Sequence, residues 1–186
     1  PMRISDRGSR SVAEGAAVLR KRTGEMGEAR GLGVLTTGGQ PEFPLDQGMP
    51  RIRAFLKALE KGDHNMARET ALPLLGFGPG LTPSGDDFVG AALFARQLVD
   101  DSREWLDVAR ALSEAITTRS NVISAALFRD LIQGQSFAPL HEMVSALVVH
   151  ESVDRAMEAA KRLTGVGQSS GWDMFAGFVA GATGTL

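Results

Sequence analysis

Twelve consecutive residues, Gly76-Phe77-Gly78-Pro79-Gly80-Leu81-Thr82-Pro83-Ser84-Gly85-Asp86-Asp87, limit what this chain can fold into more than any other stretch. Glycine costs backbone entropy in regular elements and proline removes a donor, so neither helix nor strand accommodates the run. Directly after it, Phe88, Ala91, Ala92, Ala95, Leu98 and Val99 recur at helical spacing. The stretch therefore reads as a stiffened loop delivering Thr82, Ser84, Asp86 and Asp87 to a helix N-terminus. Ser84 is the expected N-cap, Gly85 opens the first turn, and both aspartates complement the positive helix end. The plain alternative is a capped helix after a turn. A cap needs one such residue, however, and Gly78, Gly80 and Gly85 let a ligand approach backbone N–H groups at a helix end that attracts anions. The run matches neither the Walker pattern nor a dinucleotide-binding glycine pattern.

A second segment repeats the device. Gly165-Val166-Gly167-Gln168-Ser169-Ser170-Gly171-Trp172-Asp173 again opens an apolar helix, Met174 to Ala182. Ser84-Gly85-Asp86-Asp87 and Ser170-Gly171-Trp172-Asp173 both read Ser-Gly-x-Asp, so the two helix starts are expected to face one pocket. Gly90, Gly177 and Gly181, inside helices, are expected to mark close helix–helix approach.

The rest of the chain reads as helices. Ser11-Val12-Ala13-Glu14 has capping-box spacing for a first helix that ends near Arg20–Arg22. Leu32 to Leu35, bracketed by glycines, is the one strand-like run, and alone it needs a partner. Pro50 suits a helix start, Lys61-Gly62 a stop, and Asp63 the cap of a short helix broken at Pro73. Beyond the loop, helices are predicted over 85–100, 102–117 and 120–133, the last with Ile123, Leu127 and Leu131 on its inner stripe. Two more centre on Leu140–Leu147 and Val153–Leu163, with methionines as core filler. The expectation is all-α, one domain over 1–186, about eight helices, and at most one or two short N-terminal strands.

The net charge of −2 and the lack of a basic stretch argue against nucleic acid, and no apolar run is long enough for a membrane span. Absence of cysteine excludes disulfides and thiolate metal sites and fits a cytoplasmic protein. His64, His141 and His150 are too scattered for a zinc motif. Pro1 before Met2 is set aside as an added residue or the edge of an excised fragment.

Between helices, Thr117-Thr118-Arg119-Ser120-Asn121 is unusually polar. Ser120 or Thr118 caps the following helix in one reading; in the other, Arg119 is a fork donor for a phosphate or carboxylate, with Ser124 adding a hydroxyl. Asp86, Asp87 and Asp173 are hard-oxygen groups suited to magnesium, Asp87 and Asp173 above all, but the helix dipole explains them as well. A Ser/His/Asp hydrolase finds little support.

Gly76 to Phe88 resembles the hallmark of the AllH-like family. Thr118-Arg119-Ser120-Asn121-Val122-Ile123-Ser124 resembles its middle motif, and Gly167-Gln168-Ser169-Ser170-Gly171-Trp172-Asp173-Met174 its closing one. The three occur in the family's order, and the resemblance spans about residues 65–183, with 1–50 less certain. Family members are longer at the N-terminus, so the chain reads as a short member or a fragment. Gln168 stands where the pattern has His, which puts an acid–base role there in doubt. The resemblance implies a subunit of an oxamate carbamoyltransferase, in which oxalurate and phosphate give oxamate and carbamoyl phosphate during purine-derived nitrogen catabolism. It also implies partner subunits, one of them acyl-CoA-synthetase-like. The expected ligand-binding set is Gly78, Gly80, Thr82, Ser84, Gly85, Asp87, Arg119, Ser124, Ser169, Ser170 and Asp173. Two alternatives stand beside the transferase subunit: a non-catalytic ligand-binding or scaffold subunit, and a magnesium-dependent hydrolase.

Overall fold

The computed structural model describes residues 5–149 and 151–186; Pro1, Met2 and His150 lie outside them. Among the described residues there are nine α-helices and no strand: α1 (Asp6–Lys21), α2 (Met49–Lys61), α3 (His64–Ala71), α4 (Ser84–Val99), α5 (Arg103–Arg119), α6 (Val122–Ile132), α7 (Ala138–Val148), α8 (Val153–Thr164) and α9 (Ser170–Thr183). Short 3-10 helices occupy Thr23–Met26, Gly31–Thr37, Leu45–Gly48 and Leu72–Leu74. The all-α expectation holds. No helix of the described residues is long and apolar enough to cross a membrane.

The architecture follows from α4 and α9, which lack a polar face. Every residue from Ser84 to Ala95 and from Gly171 to Ala182 is buried, as helices apolar all round require. Glycine lets the two backbones meet: a Cβ on Gly177 would overlap the Phe88 carbonyl oxygen, and one on Gly181 the Ala92 carbonyl oxygen. These contacts advance in the same direction along both helices. Therefore α4 and α9 run parallel, with their N-termini at one end. On one side α2, α3 and α5 bury Ile52, Phe55, Leu59, Trp105 and Leu112 against Phe88, Val89, Leu93 and Ala180. On the other, α1, α7 and α8 bury Val12, Leu19, Met143, Met157 and Leu163 against Phe94, Phe175, Phe178 and Val179. The methionines at 143 and 157 are core filler, as read.

Several boundaries hold and others move. Gly62 ends α2 in the left-handed conformation, and the Asp63 carboxylate caps α3 by accepting from the Met66 N–H at 2.9 Å. By contrast, α1 starts at Asp6 under a Ser5 cap, upstream of the Ser11 box. The extra turn has no apolar period to reveal it; the Ser9 hydroxyl anchors it on the Leu98 carbonyl at 2.9 Å. The strand-like run is instead the 3-10 helix Gly31–Thr37. Leu32 and Leu35, three apart, share its buried side, and a Cβ on Gly33 would crowd the Trp172 ring. It packs on α9 and offers no open strand edge. In α6 the buried face carries Ser124, Ala125, Phe128 and Leu131, while Ile123 is exposed. Asn121 caps that helix, accepting from the Ile123 and Ser124 N–H groups, in place of the Ser120 or Thr118 of one reading.

Candidate functional site

Both Ser-Gly-x-Asp segments are built alike. The Gly85 N–H donates to the Phe77 carbonyl at 2.9 Å, and the Gly171 N–H to the Val166 carbonyl at 3.0 Å. A Cβ on Gly85 would overlap the Leu74 carbonyl oxygen, and one on Gly171 the Leu163 carbonyl oxygen. Each glycine thus lets the incoming chain pass tightly over the helix start. Its N–H is spent on that turn, which corrects the expectation that Gly85 offers an open donor. Ser84 is also not the cap: Pro83 holds that position, and Ser84 is a buried first residue of α4.

Because the helices are parallel, their side chains interleave at the shared end. The Thr82 and Ser170 hydroxyls hydrogen-bond at 2.7 Å, joining the first loop to the second segment. The Ser170 hydroxyl acts on Asp87, and the Ser84 hydroxyl on Asp173. Each aspartate therefore lies beside the serine of the other helix. Gly78 stacks against Ser84 with φ +116°, Gly80 is exposed on the outer loop, and Ser169 is half-buried before α9.

Asp86 and Asp87 point apart, as helical geometry demands; with Asp87 beside the other helix start, Asp86 is expected nearer solvent or a cap, and it is buried instead. It is 1% exposed, and its carboxylate accepts from the Gly76 N–H at 2.7 Å, the Ser124 hydroxyl at 2.7 Å and the Ser120 hydroxyl. It ties the loop to the α5–α6 connection. The Ser124 hydroxyl is thus buried and donates its proton to Asp86. Arg119 ends α5 with its carbonyl against Gly76 and its side chain exposed. Asp86→Asn should cost about 2 kcal/mol, since three hydrogen bonds to a buried charged carboxylate become neutral ones and the two serine hydroxyls must turn to accept from the new amide. A urea titration with an unchanged slope checks this, and an unshifted midpoint contradicts it.

Asp87 and Asp173 differ from Asp86 in each keeping an unpaired carboxyl oxygen. They are 4% and 0% exposed, and the Oδ2 atom of each has no hydrogen-bond partner among the described residues. Burial pushes the Asp87 carboxyl up to about 8, and the charges of Asp173 and Asp86 push the same way, against the Ser170 and Thr82 hydroxyls. Burial also pushes Asp173 up to about 6, opposed first by the Leu32 N–H, which donates to Oδ1 at 2.6 Å, then by the Ser84 and Ser169 hydroxyls. These hydroxyls act at short range without bonding either Oδ2. Leu32 and Gly31 were absent from the expected set. Their only signal was the small-residue bracket around a run that reads as a strand.

A cavity of about 240 Å³ reaches Asp87 from α6 and the loop before α7. Leu127, Leu131, Phe137 and Met174 give it apolar walls, and Asp130, Gln135 and Ser136 join them. Sequence reasoning missed it, because 133–137 reads only as punctuation. A broader depression of about 620 Å³ is lined by Arg20, Lys21, Thr23, Thr36 and Thr183, among others. It lies where α1 and α9 end, and their C-terminal carbonyls there disfavour an anion. The smaller cavity carries more weight, because it touches a buried, unsatisfied carboxyl.

Magnesium is held by one or two carboxylates and keeps several waters. Asp87 and Asp173 supply two, and no third His, Cys, Asp or Glu joins them in a metal-holding group among the described residues. Asp173 is fully buried, and Asp87 meets only a small cavity with apolar walls, so an ion that keeps several waters fits poorly between them; a proton relieves the same repulsion without displacing packing. Excess magnesium at neutral pH should therefore move Tm by less than about 1 °C. A larger rise that vanishes in Asp87→Asn would overturn this. Gly167-Gln168-Ser169-Ser170-Gly171 does have nucleophile-elbow spacing, yet it joins two helices rather than a strand and a helix. His141 accepts from the Ser136 N–H at 3.0 Å, and His64 packs on Trp105, so neither is oriented toward Ser169.

A family model described as oxamate carbamoyltransferase subunit AllH matches residues 74–182, which takes in all three motifs and both helix starts. No curated protein and no solved structure matches the chain.

Proposed function

The chain belongs to the AllH family, and from that premise we propose that it is a subunit of an oxamate carbamoyltransferase whose small anionic substrate meets it at the paired starts of α4 and α9. The observation that carries the reading is the pair of buried carboxyls, Asp87 and Asp173, whose Oδ2 atoms have no partner at that shared helix end. Buried acids without partners are costly, and such costs concentrate at working sites. A scaffold subunit accounts for Gly177 and Gly181, which serve packing, and for the Asp173 Oδ1 that holds Leu32, but leaves the two unpaired Oδ2 atoms without a purpose.

In the reaction, a phosphate oxygen attacks the carbamoyl carbon of oxalurate. A C–O bond forms, the C–N bond to the oxamate nitrogen breaks, and that nitrogen takes up one proton. Asp87 holds its proton at neutral pH and is suited to supply it. Two parallel helix N-termini favour the negative charge that develops on the attacked oxygen. Arg119, exposed where α5 meets Gly76, is the fork cation for a carboxylate or phosphate. The other subunits, one of them acyl-CoA-synthetase-like, complete the enzyme, which works on purine-derived nitrogen in the cytoplasm.

Calorimetry with phosphate, carbamoyl phosphate, oxamate and oxalurate tests this, with the chain alone and with its partner subunits. At least one ligand should bind saturably, and affinity should fall on the order of tenfold in Ser170→Ala or Arg119→Ala. Failure of all four ligands, with and without partners, would favour the scaffold.

A further inference from the structure

The cavity beside Asp87 is unlike an anion site. No Lys, Arg or His lines it, and two of its wall residues, Asp87 and Asp130, are acids. Its Leu131, Phe137 and Met174 walls strip water from whatever enters. Two wall residues also carry unsatisfied polar atoms: Asp87 Oδ2 and Ser136 Oγ are both buried with no hydrogen-bond partner among the described residues. At about 240 Å³ the space is smaller than the roughly 300–1,000 Å³ of pockets for drug-sized ligands. An occupant that is small and uncharged and offers both a donor and an acceptor fits these walls.

We propose that this cavity binds an uncharged carbamoyl or ureido group, its N–H groups donating to the Asp87 carboxyl and its carbonyl accepting from the Ser136 hydroxyl. The choice of group rests on the carbamoyl-transfer reading, which it deepens, while the preference for a neutral group comes from the cavity walls. Asp87 is common to the cavity and to the paired helix starts. A substrate with a ureido end in the cavity extends its charged end toward Thr82 and Ser170, away from the acidic walls.

The test is an amide NMR titration of the full chain with methylurea, and with acetate as the charged control. Methylurea should shift the Leu131, Ser136, Phe137 and Met174 amides saturably, and acetate should not. Asp87→Leu should weaken methylurea on the order of tenfold, and Leu127→Trp, filling the cavity, should abolish its binding. Should Asp87→Leu fail to fold, Ser136→Ala replaces it, with a loss on the order of threefold. The proposal is overturned if methylurea gives no saturable shifts, if the folded variants bind it as wild type does, or if acetate binds the same residues equally well. A parallel phosphate titration, read at Gly78–Ser84, follows the anion reading separately. Methylurea binding without phosphate binding keeps the cavity assignment and counts against that reading; the reverse pattern does the opposite.

Discussion

Asp87→Asn should make the folded chain more stable, and the gain should grow as pH rises. The folded carboxyl is pushed up to about 8, mainly by burial, whereas in the unfolded chain it titrates near its ordinary value of 3.8. Between those values the folded state holds a proton that the unfolded state has released. Stability therefore falls as pH rises through that window and levels off above it. Asp173, pushed up to about 6, adds a smaller loss of the same sign that is complete nearer neutrality. Asparagine cannot ionise, and its amide can meet the Thr82 and Ser170 hydroxyls. At ~1.4 kcal/mol per pKa unit, the gain at alkaline pH is on the order of 5 kcal/mol. Urea midpoints at about pH 5 and about pH 9 should diverge for wild type and converge for the variant. A variant that is weaker at both, or that runs parallel to wild type, contradicts the protonated-acid account.

Gly181→Ala should be among the most damaging single-methyl changes in the molecule, at about 3 kcal/mol or more. The added Cβ would overlap the Ala92 carbonyl oxygen, a backbone atom that cannot rotate aside. To admit it, α4 and α9 must separate, which loosens the core on both sides and the alignment of the two Ser-Gly-x-Asp starts. Gly24→Ala is the control: nothing lies within 4 Å of its Cβ position, so stability should stay within about 0.5 kcal/mol of wild type. Equal effects of the two substitutions would contradict the close parallel packing.

The repeat of Ser-Gly-x-Asp was legible as residues, and its equivalence extends to matching turns over Gly85 and Gly171. What those glycines do was not legible. Composition says that something comes close to the backbone, and here it is the chain's own carbonyls rather than a ligand. The angular separation of Asp86 and Asp87 was also readable, but which one a neighbour would cover was not. That depends on α6 presenting Ser124, which in turn exposes Ile123. The Leu32–Leu35 run failed for a simpler reason: a 3-10 turn and a short strand share small-residue brackets, and only Asp173 and Trp172, far along the chain, choose between them.

The paired starts of α4 and α9 are the proposed substrate site of a carbamoyltransferase subunit. The most direct test is steady-state carbamoyl transfer by the chain assembled with its partner subunits, comparing wild type with Thr82→Val and Ser170→Ala. Both hydroxyls lie at the shared helix end, and they are bonded mainly to each other. In each variant kcat/KM should fall on the order of tenfold or more, while Tm changes by only a few degrees. Transfer within about twofold of wild type in both variants, at unchanged Tm, would contradict this site assignment.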